Sequence, residues 1–240
     1  MGLGHSPRIV TDGLVLALDA GNTKSYPGSG ATWTDLSGNG NNGTLTNGPT
    51  YSSANGGSIV FDGIGDYVSG PTFSSVLNYQ TSGTIECFFK IISSPSADFE
   101  DIWGFASGGS TTRTIWFEAS TIVLDNLRFV WRLSSGSLGT IDTNIAPSTN
   151  RNINQVVCSY EVISTNITFR VYINGTFYNS STVSGSLTNS PSLPLSIGSN
   201  LGALAESFNC NIYNFKIYNR ALTAAEVSQN FNALRGRFGI

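Results

Sequence analysis

Residues 167–178 read Ile167-Thr168-Phe169-Arg170-Val171-Tyr172-Ile173-Asn174-Gly175-Thr176-Phe177-Tyr178. Ile167, Phe169, Val171 and Ile173 recur at every second position, with Thr168, Arg170 and Tyr172 between them. A period of two puts one set on each side of an extended strand, one packed and one wet. Asn174-Gly175 follows, and both central residues of a type I′ turn need positive φ, so the stretch predicts an antiparallel hairpin.

The same alternation recurs elsewhere. Ile85, Cys87, Phe89 and Ile91 enclose Thr84, Glu86 and Lys90; Leu127, Phe129, Trp131 and Leu133 leave Arg128 and Arg132 on the opposite face. Shorter runs at 14–19, 58–61, 66–69, 102–106, 114–118, 155–161, 195–198 and 208–218 bring the strands above ten, joined by Gly, Ser and Asn turns. That pattern predicts an all-β sandwich or barrel. One helix is expected at the C-terminus. Thr223-Ala224-Ala225-Glu226 is a capping box, Ala224, Val227, Phe231 and Leu234 share a helical face, and Gly236 offers a stop. No linker or shift in composition divides the chain, so one domain is expected.

Composition narrows the function. Of 240 residues 11% are charged, against a soluble average of about 25%. Fourteen Phe, nine Tyr and four Trp at a net charge of -3 exclude disorder. The longest apolar run, Leu14 to Leu18, is far short of the ~20 residues of a membrane span, so no membrane partner is expected. Twelve scattered cations make no basic surface for nucleic acid. Cys87, Cys158 and Cys210 are odd in number and sit in apolar runs, so they read as buried free thiols. The opening Met1-Gly2-Leu3-Gly4-His5 lacks the charged and apolar regions of a secretory signal, so synthesis in a cytoplasm is expected. His5 is the only histidine, which argues against His-assisted nucleophilic catalysis.

Two surfaces stand out. Residues 1–12 form an N-terminal arm carrying Ile9 and Val10, and 236–240 a short tail. Together with Arg235, Arg237 and Phe238 they are either frayed ends or tails tucked against their own domain, or docking arms that grip a neighbouring subunit. Among the tryptophans, Trp103, Trp116 and Trp131 lie in apolar runs and read as core. Trp33, among polar turn residues, is the candidate exposed sugar platform. Asp98-Phe99-Glu100-Asp101 reads as a solvated acidic loop.

Segments spread over 13–235 resemble a known family. Gly13-Leu14-Val15-Leu16-Ala17-Leu18-Asp19-Ala20, Trp33-Thr34-Asp35-Leu36-Ser37-Gly38-Asn39-Gly40-Asn41-Asn42-Gly43 and Ile59-Val60-Phe61-Asp62-Gly63 before Asp66-Tyr67-Val68 resemble the opening of laminin-G-like, concanavalin A-like domains. Phe169 to Gly175 and Ile212 to Thr223 are similar to their late strands and closing segment. The resemblance implies a jelly roll of two antiparallel sheets over 13–235, often binding carbohydrate or protein. It also favours the core for Trp33. It implies no resident cofactor but makes bound calcium the natural ligand, with Asp19, Asp35, Asp62 and Asp66 as candidates at loop ends. The Glu-x-Asp-x-x-Glu spacing of glucanases of this fold is absent, so no enzyme is expected; a glycan hydrolase is the least favoured reading.

Both chain ends are similar to versions found in tailed-phage virion proteins. The function this implies is a non-enzymatic virion structural protein, a capsid decoration on the exterior. It would dock on other capsid or tail subunits and itself form a homo-oligomer. The alternative is a carbohydrate-binding adhesin or receptor-binding module on the same particle, recognising a host surface glycan.

Overall fold

The computed structural model describes residues 7–78, 80–96, 99–106, 113–120, 125–188, 192–200 and 203–240. Two antiparallel sheets face each other. The first runs Thr176–Ser184, Asn166–Ile173, Ile153–Ile163, Ser82–Ile91, Asn209–Tyr218, Ser58–Asp62, Thr50–Ser52, and Leu14–Asp19 also pairs with Asn209–Tyr218. The second runs Leu138–Asp142, Asn126–Arg132, Arg113–Ser120, Glu100–Ala106, Pro194–Ile197, Tyr67–Thr72, Gly43–Thr46, Thr32–Trp33. The hairpin read from 167–178 is present, with Asn174 at φ 49° and Gly175 at φ 78°.

Inward-facing positions of both sheets make one core. Trp131 stacks on Phe169 across the sandwich with ring centroids 3.9 Å apart, and Phe89 meets Phe117 edge-on. Cys87, Cys158 and Cys210 are buried free thiols, and burial pushes each one's pKa up. Ser58–Asp62 and Tyr67–Thr72 belong to different sheets, so the turn that starts at Asp62-Gly63 carries the chain across the sandwich.

The outer face of the first sheet is covered by the helix Ala224–Phe238. Thr223 caps it reciprocally with Glu226, as the sequence predicts. It runs through Gly236 and ends at Gly239, whose φ of 72° gives the left-handed cap. The extra turn seats Phe238 against Phe88 and Tyr213, each 5.1 Å between centroids. Burying a Phe contributes about 1.5–3 kcal/mol, more than the ~1 kcal/mol a helical glycine costs.

Beneath the helix Glu86 is fully buried. It accepts from Lys216 Nζ and Gln155 Nε2, each at 3.1 Å, and from Asn230 Nδ2 at 2.7 Å. Asn230 also donates to Tyr218 Oη at 2.9 Å, and its Oδ1 accepts the Val10 amide at 2.7 Å. Val10 is buried with Val157, Tyr218, Leu222 and Val227, and Ile9 is half-buried. Arg237 pairs with Asp19 at 2.8 Å, and Arg235 lies over the Phe231 ring at 6.0 Å. Where they are described, the expected docking arms are folded against their own domain: residues 7–12 and 236–238 are part of it, and residues 1–6 of the arm lie outside the described residues. Their apolar side chains fill the seam between helix and sheet, which leaves Val10 and Phe238 unavailable to a neighbour.

Asn230→Ala should destabilise the fold by about 3 kcal/mol in urea unfolding, because it strips a partner from a buried carboxylate and a buried amide. Gln229→Ala, which removes an exposed bond to the Arg8 carbonyl, should cost no more than about 0.5 kcal/mol. Glu226 accepts from Arg220 at 2.6 and 3.0 Å, and these bonds lower its pKa to about 2. A depressed carboxylate stabilises fully above its unfolded pKa and less as pH falls. Stability should drop between about pH 5 and 2, and Glu226→Gln should flatten that part of a pH-resolved melting curve.

Candidate functional site

The outer face of the second sheet holds the densest chemistry among the described residues. On Arg113–Ser120, Ile115, Phe117 and Ala119 turn inward, which sends Trp116 and Glu118 outward. On Asn126–Arg132, Leu127, Phe129 and Trp131 turn inward and Arg128 and Arg132 outward. The register places Glu118 directly opposite Arg128 on one side and Asp101 on the other. Cross-strand neighbours of this kind have Cβ atoms about 4.5–5.5 Å apart, close enough for ion pairs.

Glu118 is held at both oxygens. Its Oε1 accepts from Arg128 Nε and Nη2, each at 2.8 Å, and its Oε2 from the Trp116 indole N–H at 2.6 Å. Arg113 reaches in from its strand end, past a bulge. One amine lies 3.1 Å from Asp101 and 3.5 Å from Glu118, the other pairs with Glu206, and the guanidinium sits 5.3 Å from the Trp116 ring centre. Asn200 steadies Glu206 with a 2.8 Å bond. A Cβ on Gly104, opposite Trp116, would stand 2.7 Å from the Trp116 Cβ, so the close approach of the two strands there requires glycine.

The Arg113 and Glu118 side chains are each only 3% exposed. Burial pushes the Asp101 carboxyl well above the ordinary carboxylate range; Arg113 pulls it down and the Glu118 charge pushes it further up. Above this floor opens a cleft of about 190 Å³. Its walls are Phe99, 41% exposed, and Leu138, 55% exposed, with Arg128 and Arg132 beside them. Phe99 has φ 69°, a strained backbone for a bulky residue, and the Arg128 guanidinium lies 4.8 Å from its ring centre.

The residues singled out by sequence lie elsewhere. Trp33 is fully buried in the core, so it offers no sugar platform. Its neighbours pack because the Thr32–Trp33 strand pairs with Gly43–Thr46 and turns the indole inward. Trp103 and Trp131 are core, as expected. Trp116 is buried, but on the outer face. Glu100 and Asp101 are buried strand residues rather than a solvated loop, and Asp98 lies outside the described residues.

The four aspartates expected to hold calcium do not converge. Asp19 is taken by Arg237, and Asp35 accepts from the Ala17, Ser37 and Asn41 amides. Asp62 and Asp66 share one turn, where the Asp62 amide donates to Asp66 at 3.3 Å. Among the described residues no three His, Cys, Asp or Glu gather as a metal site. The signal for the cleft was present in the alternation, Trp116-x-Glu118 beside Arg128-x-x-x-Arg132 on outward positions. Strand pairing was needed to see that they meet.

A family model for the concanavalin A-like lectin/glucanases superfamily matches residues 62–228. The chain belongs to this superfamily. The matched range contains every strand that builds the cleft. No curated protein matches the chain in sequence. Solved structures share the superfamily fold. The binding domain of botulinum neurotoxin serotype D/C superposes with a TM-score of 0.70 at 15% identity, covering 93% of this chain and 53% of that one. The binding domain of Paraclostridial Mosquitocidal Protein 1 gives 0.68 at 20% identity, over 93% and 52%. Trypanosoma rangeli sialidase in complex with the inhibitor DANA gives 0.65 at 15%, over 95% and 35%. The chain thus spans about half the length of the toxin binding domains it matches.

Glu118→Ala should cost about 3–5 kcal/mol in denaturant unfolding, because Arg113 and Arg128 lose a shared buried counter-charge.

Proposed function

We propose that the protein is a carbohydrate-binding module whose ligand lies in the cleft on the outer face of the second sheet. One observation carries the reading: in an otherwise weakly charged protein, half-exposed apolar walls (Phe99, Leu138) stand over a preset lattice of guanidinium and carboxylate groups. Sugars present apolar C–H faces and hydroxyl groups, and such a surface matches both; its hydrogen-bonding groups are held by their neighbours before any ligand arrives. Membership in a lectin and glucanase superfamily and the likeness to toxin binding domains support the reading.

The role is binding rather than hydrolysis. Glycoside cleavage needs one carboxyl group to protonate the leaving oxygen and another to attack or to activate water. Glu118 is committed at both oxygens, and Asp101 lies beneath Arg113, which suits these acids to holding the arginines in place.

As its setting we propose the exterior of a tailed-phage virion, where the module decorates the head or recognises a host surface glycan. Both chain ends resemble phage versions, and the helix and residues 7–12 cover the sheet opposite the cleft. That arrangement leaves one face for the particle and the other for the ligand.

On a glycan array the intact protein should show saturable, competable binding. Phe99→Ala and Leu138→Ala should each weaken it by about tenfold, or ~1.4 kcal/mol, with melting temperature unchanged. No binding across neutral and acidic glycans would overturn the reading. The protein should be found by mass spectrometry in purified particles; its absence there would remove the virion setting alone.

A further inference from the structure

The cleft separates its charges by depth. Glu118 and Asp101 lie on the floor, 3% and 1% exposed as side chains, and both are occupied by Arg113. Arg128, 19% exposed, and the half-buried Arg132 stand nearer the mouth, at the end where Phe99 and Leu138 form the walls. The one acid with more exposure, Glu206, is 25% exposed and spoken for by Arg113 and Asn200. At the end walled by Phe99 and Leu138 an incoming group therefore meets the Arg128 and Arg132 guanidiniums, while Glu206, more exposed than Arg128, is already held by Arg113 and Asn200.

The count of charges points the same way. Among the residues that line the cleft, Arg113, Arg128 and Arg132 face Glu118 and Glu206, three cations against two acids; Asp101 lies beneath Arg113, and Asp142 stands across the strand pair from Arg128. Burial raises the Asp101 pKa, Arg113 lowers it and the Glu118 charge raises it. Arg113, although buried and lining the cleft, has an Nε that makes no hydrogen bond among the described residues. A buried N–H of this kind lacks an acceptor.

We propose that the cleft selects an acidic sugar, a pyranose ring bearing a carboxylate, whose anionic group lies at the Arg128 and Arg132 end and whose ring rests against Phe99 and Leu138. The inference rests on the carbohydrate-binding reading and deepens it. Guanidinium groups match a carboxylate through paired N–H donors, a geometry that neither a neutral ring nor an ester supplies. Arg128 arrives already oriented, since its pairing with Glu118 and its stacking on Phe99 fix the plane of its guanidinium. That lowers the ordering cost of binding.

The test uses the intact protein in calorimetric titrations with three probes of equal length: an oligogalacturonate, its fully methyl-esterified form, and a sulfated neutral oligosaccharide. The acid should bind at least about tenfold more tightly than the ester, and its affinity, unlike the ester's, should fall as salt rises. Arg132→Gln should erase most of the difference between acid and ester. Arg132→Lys, which keeps the charge but not the fork, should retain part of it, and wild-type salt dependence reads the same property without any substitution. Equal, salt-insensitive binding of acid and ester would overturn the acidic preference and leave carbohydrate binding standing. Preference for the sulfated probe over the acid would overturn the carboxylate assignment. Binding of none of the three, on a protein that also binds nothing on the glycan array, would remove the underlying reading as well.

Discussion

The contact of Trp131 with Phe169, nearly parallel at 3.9 Å between ring centres, joins the two sheets and fixes which way each side chain near it must point. Aromatic pairs contribute about 0.5–1.5 kcal/mol beyond the area they bury. The larger consequence is parity. With Trp131 committed to the core, Phe129 and Leu127 follow it inward, and Arg128 and Arg132 are sent outward. A slip of one residue in this strand would bury two arginines and expose two large aromatic rings.

Parity also explains why the outer face of the second sheet tolerates so much buried charge. Glu118 is flanked by Asp101 and Arg128 in register and roofed by Arg113, so ions that would be costly alone are paired with one another, although the Arg113 Nε and Asp101 Oδ2 lack partners among the described residues. Buried ion pairs contribute little net stability against a well-packed apolar alternative. What they supply here is position: the Trp116 indole, two guanidinium planes and the Phe99 ring are all fixed through hydrogen bonds or stacking that converge on Glu118. In a protein with 11% charged residues, five of them are gathered here within hydrogen-bonding reach of one another.

The opposite face follows a different logic. There a polar network centred on Glu86 ties the helix, the sheet and residues 7–12 together, with Asn230 as the shared partner. Phe88, Tyr213 and Phe238 seal its margin. Residues 7–12 and the helix through Phe238 thus belong to the body of the domain, and the surface the helix forms is its own outer side.

By itself the sequence determined what depends on neighbours along the chain. Period-two alternation marked the long strands, Asn174-Gly175 the hairpin, and Thr223 with Glu226 the start of the helix, because each is a matter of local geometry. Very short strands such as Thr32–Trp33 carry too few residues to show a period, so Trp33 read as a surface residue. The helix end was missed because Phe238 finds its pocket on strands far away in sequence. The cleft belongs to the same class. Asp101, Arg113, Glu118, Arg128 and Glu206 come from four strands, and only their pairing, set by which faces must be buried together, brings those charges within hydrogen-bonding distance.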